Sequence, residues 1–309
     1  LPAQAPNMHW TRSLTAGPDG LLYVGVGSNS NIGENGMETE TNRASVLEVN
    51  PKDGSYRIFA SGLRNPVGLA FEPTSGALWG VVNERDMLGA DLVPDYLTRV
   101  EFGGFYGWPW NYWGGYEDRR VQPQRPQLRE YTKRPDYALG NHVAPLGLTF
   151  ADKVTLGAPY AQGAFVGLHG SWNRKPAAGY KVVFVGFADG EAGKAKPVDV
   201  LTGFLDADGN ARGRPVDVTA DAKGALLVSV AMMEGCHAIE TATPLRLACG
   251  QPPPLPGEDD FVVRPLARAA RPVRPHIARR RGLIGCRAGS TIGSLPAGRM
   301  PRRAWPHNR

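Results

Sequence analysis

The first 230 residues of this 309-residue chain contain no cysteine; Cys236, Cys249 and Cys286 all lie beyond them. Three is an odd number at irregular spacing, so neither a disulfide framework nor a zinc motif can be read from them. Long apolar runs are also missing, which excludes a transmembrane helix. Leu1 to Asn7 carry neither a basic n-region nor an apolar h-region, so no signal peptide is visible. Amphipathic helical periodicity is nearly absent. What the chain has in quantity is punctuation, with 39 glycines and 27 prolines. That content of turn residues argues against a helical bundle.

The charge of +6 belongs to one end. Residues 1–230 carry 22 basic and 24 acidic side chains, a net charge of −2, whereas 231–309 carry 13 arginines, no lysine and 5 acids. Nucleic-acid binding therefore cannot be argued from the whole-chain balance. The 231–309 tail has clustered proline (Pro252–Pro254) and the run Arg279-Arg-Arg281. It reads as a disordered segment or the out-of-frame translation of a GC-rich gene, with a basic arm for nucleic acid or anionic membrane as the alternative.

A turn-and-strand unit returns along residues 1–230. Gly17-Pro-Asp-Gly-Leu-Leu-Tyr-Val-Gly-Val-Gly27 is a tight turn followed by an alternating strand. Glu72-Pro-Thr-Ser-Gly-Ala-Leu-Trp-Gly-Val-Val82 and Ala220-Asp-Ala-Lys-Gly-Ala-Leu-Leu-Val-Ser-Val230 repeat the design. Further strands are expected at Ser45–Val49, Tyr56–Ala60, Ala164–Leu168 and Tyr180–Phe187. The expected fold is all-β, a propeller with four-stranded blades, and a β-sandwich is the rival.

Four segments stand out chemically: His9-Trp-Thr-Arg12, Leu63-Arg-Asn-Pro-Val-Gly-Leu69, His169-Gly-Ser-Trp-Asn-Arg174 and Arg212-Gly-Arg214. Three of them sit just upstream of a turn-and-strand unit and therefore at one end of the channel. Arg64, Arg174, Arg212 and Arg214 would make a cationic pocket for a small, planar polyanion, since guanidinium groups grip carboxylates by paired hydrogen bonds. The competing reading makes each a surface residue or an inter-blade ion pair.

These residues resemble the pyrroloquinoline quinone (PQQ)-dependent sugar dehydrogenases, the soluble glucose, aldose and sorbosone dehydrogenases. The resemblance rests on Leu63-Arg-Asn-Pro-Val-Gly-Leu-Ala-Phe71, on His9 ahead of the Gly17-Pro-Asp-Gly20 turn, and on Arg212-Gly-Arg214. Asn83-Glu-Arg-Asp86, Asp91-Leu-Val-Pro-Asp-Tyr96, Phe105-Tyr-Gly-Trp-Pro109 and His169-Gly-Ser-Trp-Asn-Arg174 are most similar to the sorbosone branch. The resemblance implies a six-bladed propeller, of which residues 1–230 would form about four blades, and a periplasmic or secreted location. It implies PQQ and calcium as cofactors, a sugar or aldehyde substrate, and an external cytochrome or quinone as electron acceptor. His9 matches the base and Arg64 the catalytic arginine; Arg64, Asn65, Arg174, Arg212 and Arg214 match cofactor contacts. The main-chain carbonyls of Glu84 and Arg85 match the calcium loop, carbonyl oxygen being suited to a hard cation.

The chain departs from the family pattern in three places. Family members carry roughly two blades ahead of the His9 motif. The glucose branch orients its histidine with an Asp where Ser28 stands here, which leaves the partner of His9 open, with Asn29 a candidate. The strand ending at Val230 runs into Ala231-Met-Met-Glu-Gly-Cys-His237 and not into a closing blade. The aromatic run Trp108–Tyr116 suits core packing, with Trp110 or Tyr112 placed near the substrate. A calcium-dependent lactonase-type hydrolase and a non-enzymatic binding propeller are the alternative functions.

Overall fold

Every strand expected from the sequence forms, and all the strand pairings are antiparallel. A computed structural model describes residues 7–231. The tail at 232–309, with all three cysteines, lies outside the described residues. Strands β1 (Arg12–Ala16), β2 (Leu22–Val26), β3 (Ser45–Val49) and β4 (Tyr56–Ser61) form the first four-stranded sheet in that order. β5 (Pro66–Phe71), β6 (Leu78–Val82) and β7 (Pro94–Arg99) begin the second. A long excursion then carries the small hairpin β8 (Asn111–Tyr112) and β9 (Tyr116–Glu117) before β10 (Tyr137–Asn141) returns to pair with β7. The third sheet is β11 (Pro145–Phe150), β12 (Gly163–Leu168) and β13 (Lys181–Ala188), with β14 (Glu191–Ala192) and β15 (Val198–Leu201) both pairing with β13. A hairpin of β16 (Arg214–Ala220) and β17 (Leu226–Ala231) ends the described residues. They thus comprise two four-stranded meanders, a five-stranded sheet and a separate hairpin.

The first strands of successive sheets pack side by side, β1 on β5, β5 on β11 and β11 on β16. This radial array is that of a β-propeller and not of two facing sheets. Its inner strands approach backbone to backbone. A Cβ on Gly68 would lie 2.5 Å from the Leu146 carbonyl oxygen, and one on Gly147 would lie 2.5 Å from Val218 N. The strands share one pattern: Asn65-Pro-Val-Gly-Leu69, Ala144-Pro-Leu-Gly-Leu148 and Arg214-Pro-Val-Asp-Val218. The last leucine or valine of each is buried in a seam core, while the glycine of the first two faces the neighbouring strand.

Each seam has its own apolar core. Tyr23, Val46, Leu63, Leu78 and Tyr96 fill the first. Trp79, Val81, Leu97, Phe150, Val166 and Phe187 fill the second, where Trp79 meets Phe187 edge-on at 4.9 Å. Phe165, Phe184, Val200, Val218 and Leu226 fill the third. Among the described residues no helix is long and apolar enough to cross a membrane.

Candidate active site

The starts of inner strands and the ends of the strands that follow them lie at one axial end. β12 runs antiparallel to β11, so His169 at its end lies beside Ala144, to whose carbonyl its N–H donates at 2.9 Å. Ser28 N likewise donates to the Arg64 carbonyl at 2.7 Å. All four segments singled out from the sequence therefore reach this end.

His9 is held by Ser28. Nδ1 lies 2.9 Å from the Ser28 carbonyl and 3.0 Å from Ser28 Oγ, which itself donates to the Ser30 carbonyl at 2.6 Å. A carbonyl only accepts, so the proton is on Nδ1 and the Nε2 lone pair is free. Burial, reinforced by the Arg64 charge, pushes the imidazole pKa down to about 3. Asn29 does not orient the ring; its main-chain N–H donates to Glu40 Oε2 at 2.7 Å. Gly27 lies between His9 and Asn65. A Cβ there would come 2.3 Å from Asn65 Oδ1 and 2.6 Å from the His9 Cβ, so only glycine fits.

Arg64 is buried and fully engaged. Nη1 donates to the Glu84 carbonyl at 2.7 Å, Nη2 reaches Asn31 Oδ1 and Asp86 Oδ2 at 3.0 Å each, and Nε reaches the Asn31 carbonyl at 3.3 Å. Asp86 is the hub. Its other oxygen accepts from Asn173 Nδ2 at 2.9 Å and lies 3.6 Å from His142 Nδ1. Asn31 follows β2, Arg64 and Asp86 flank β5 and β6, and Asn173 follows β12, so this cluster joins loops of three sheets. Beneath it, the buried Asp95 accepts from Glu84 N and Ala144 N, both at 2.8 Å. Burial raises its pKa to about 7.

The remaining residues expected at the site are dispersed. Arg214 donates to the Gly170 carbonyl at 3.2 Å and to Tyr180 Oη at 2.8 Å, over whose ring its guanidinium lies. Arg174 turns to the Ala90 carbonyl and to Asp91 Oδ1. Arg212 is exposed and its N–H donates to the Phe204 carbonyl at 2.8 Å. Arg85 is buried but points away from the cluster, with Nε 2.7 Å from Asp118 Oδ2. Nothing local in the sequence marks Asn31 or His142, and Asp86 enters there only as the end of the Asn83-Glu-Arg-Asp86 motif.

The donor set suits a polyanionic, carbonyl-bearing cofactor. Arg214 Nε is a buried donor with no protein partner, open to an anionic or carbonyl oxygen, while Asn65 Oδ1 and Asn173 Oδ1 are buried acceptors without one, open to an N–H or O–H of the ligand. At the loop expected to hold calcium, acceptors of Glu84 are already in use. The Glu84 carbonyl is committed to Arg64, Glu84 Oε2 accepts from Arg85 N at 2.8 Å, and no trio of metal-ligating side chains gathers among the described residues.

A radial array of antiparallel sheets with an imidazole and a buried arginine cluster at one axial end defines a propeller of the sugar dehydrogenase type. The chain belongs to the glucose/sorbosone dehydrogenase family, whose model matches residues 1–169. A second model, TrAA12-like, matches residues 123–239. An uncharacterized protein of Borreliella burgdorferi is 29% identical over 229 residues, covering 74% of this chain and 59% of that protein. A pyrroloquinoline quinone-dependent pyranose dehydrogenase of Coprinopsis cinerea is 28% identical over 222 residues, 57% of this chain and 30% of that one. The holo form of the pyranose dehydrogenase PQQ domain from the same fungus matches with a TM-score of 0.57 at 25% identity, over 72% of this chain and 68% of that one. The chain thus spans 59% or less of the length of these two curated relatives.

Proposed function

We propose that this chain carries the catalytic end of a PQQ-dependent dehydrogenase that oxidises an aldose or a sorbosone-like aldehyde hydrate. The observation that carries the reading is the neutral imidazole of His9, fixed through Nδ1 by Ser28 and keeping Nε2 free to accept a hydroxyl proton. PQQ, when bound, supplies the acceptor for the hydride. Asn65 and Arg214 would hold it, and Arg64 beside His9 presents fixed positive charge to its oxygens. Asp86 keeps Arg64 in place, and the loops of three sheets exclude water from the buried cluster. The remaining expectations from the resemblance belong to this proposal as well: six blades in the whole protein, a periplasmic or secreted location, and a cytochrome or quinone as electron acceptor.

The test is PQQ titration of the purified chain with calcium or chelator, followed by dye reduction with a panel of aldoses and sorbosone. Binding and turnover are expected, with turnover lost in His9→Ala and binding lost in Arg214→Ala. A folded chain that binds no PQQ would overturn the reading.

A further inference from the structure

The excursion between β7 and β10, with Leu88, lines an open surface cavity of about 480 Å³ that the proposed reaction does not use. Two features of its wall point to a ligand. Tyr112 and Tyr116 stack with centroids 5.9 Å apart and planes at 20°, and Tyr116 is exposed. Arg119, Arg120 and Arg129 bring three guanidinium groups to the same cavity. Arg120 donates to the Met87 carbonyl, whereas neither Arg119 nor Arg129 makes an ion pair among the described residues. Gly115, at φ +103°, forms part of the wall; a Cβ there would lie 3.1 Å from Arg129 Cγ, so the arginine stem lies directly over the glycine. Of the two acids in the wall, Asp118 is already held by Arg85. Glu117 alone opposes three cations.

Arg119, Arg120 and Arg129 are exposed and make a cationic patch beside a single unpaired carboxylate, and guanidinium forks match carboxylate and phosphate. An exposed aromatic face beside them suits the C–H face of a pyranose ring. A few precisely placed polar groups beside aromatic surface are the usual make-up of a small-ligand site. The cavity also adjoins the axial cluster. Asp86 belongs to the cluster, while Leu88 lines the cavity. Two residues of extended chain span at most about 7 Å.

We propose that this cavity is a subsite for an anionic sugar unit, a uronate or a sugar phosphate, in a saccharide whose reducing end is presented to His9. The proposal rests on the reading of the His9 end as an aldose-oxidising site, but its binding step is independent of PQQ.

Calorimetric titration of the full chain, without PQQ, with galacturonate, galactose 6-phosphate and galactose tests it. At least one anionic sugar is expected to bind about tenfold or more tightly than galactose, and the one that does identifies the group. The Arg119→Ala/Arg129→Ala double variant is expected to abolish that preference, and Tyr116→Ala to weaken the anionic sugar. Equal affinity for all three sugars, no binding of any, or a preference that survives the double variant would overturn the subsite. The double variant retains PQQ-dependent oxidation of neutral aldoses. Loss of turnover in the wild type with anion preference intact therefore counts against the reaction and not against the subsite.

Discussion

Asp86 accepts from Asn173 Nδ2 at 2.9 Å through one carboxylate oxygen while the other lies 3.0 Å from Arg64 Nη2. One side chain thus fastens loops of the second and third sheets, and Asn31 from the first joins through the Asp86 N–H at 2.8 Å. Asp86→Ala strands a nearly buried guanidinium group and an amide. Loss of hydrogen bonds to charged groups costs about 1.5–3 kcal/mol. The urea midpoint is expected to fall accordingly, and PQQ affinity to fall about tenfold or more in titration. Wild-type affinity in a folded Asp86→Ala protein would show that Arg64 needs no such anchor.

His9 gives stability a pH dependence of known sign. Its pKa is pushed down to about 3 in the fold, against about 6.5 in the unfolded chain. Between those values the unfolded state binds the proton and the folded state does not, so stability is intact above pH 6.5 and is lost as pH falls toward 3. At roughly 1.4 kcal/mol per unit the penalty reaches about 5 kcal/mol. His9→Asn keeps an N–H for the Ser28 carbonyl and cannot titrate. Its urea midpoint at pH 4 is expected to exceed that of the wild type, relative to each protein at pH 7.5.

The Arg85–Asp118 pair is 2% and 3% exposed by side chain. Removing one partner of a buried pair leaves an uncompensated charge and costs about 3–5 kcal/mol. Asp118→Ala is expected to show that loss in thermal or urea unfolding. The Arg85→Met/Asp118→Leu double variant is expected to recover most of it, because both charges leave together.

Gly147→Ala places a methyl 2.5 Å from Val218 N. Overpacking of this kind costs about 1–3 kcal/mol. The backbone of an inner strand has to move, so the hairpin β16–β17 is expected to lose amide-exchange protection before the first sheet does.

Much of the fold was legible because strand signals are local. Ser45–Val49 is β3 as expected, and Tyr56–Ala60, Ala164–Leu168 and Tyr180–Phe187 overlap β4, β12 and β13 to within a residue or so. The third sheet's inner strand, Pro145–Phe150, escaped because its turn is lengthened by short 3-10 segments at Ala151–Lys153 and Ala158–Tyr160. The shared X-Pro-Val/Leu-Gly/Asp-Leu/Val pattern would have found it. The site was legible only in part. His9, Arg64 and Asn65 carry motif-like spacing, whereas Asn31 and His142 act through contacts 33 or more residues away in sequence, and nothing local marks them. Arg85 entered through its main-chain carbonyl, which the resemblance matched to a calcium loop; the ion pair of its side chain with Asp118, 33 residues on, has no local mark either.

Two inner strands open with a proline whose carbonyl receives a side chain from the preceding sheet. Asn83 Nδ2 donates to the Pro145 carbonyl at 2.8 Å and His169 Nδ1 to the Pro215 carbonyl at 2.9 Å. Proline brings no N–H to this position, so the junction is one-directional, with the donor always on the earlier sheet. A sheet equipped with a donor at one margin and a proline at the other is an interchangeable part. Removing the third sheet would bring the Asn83 amide to the Pro215 carbonyl, a joint of the same kind, so a gene can change the number of sheets there without redesigning that joint.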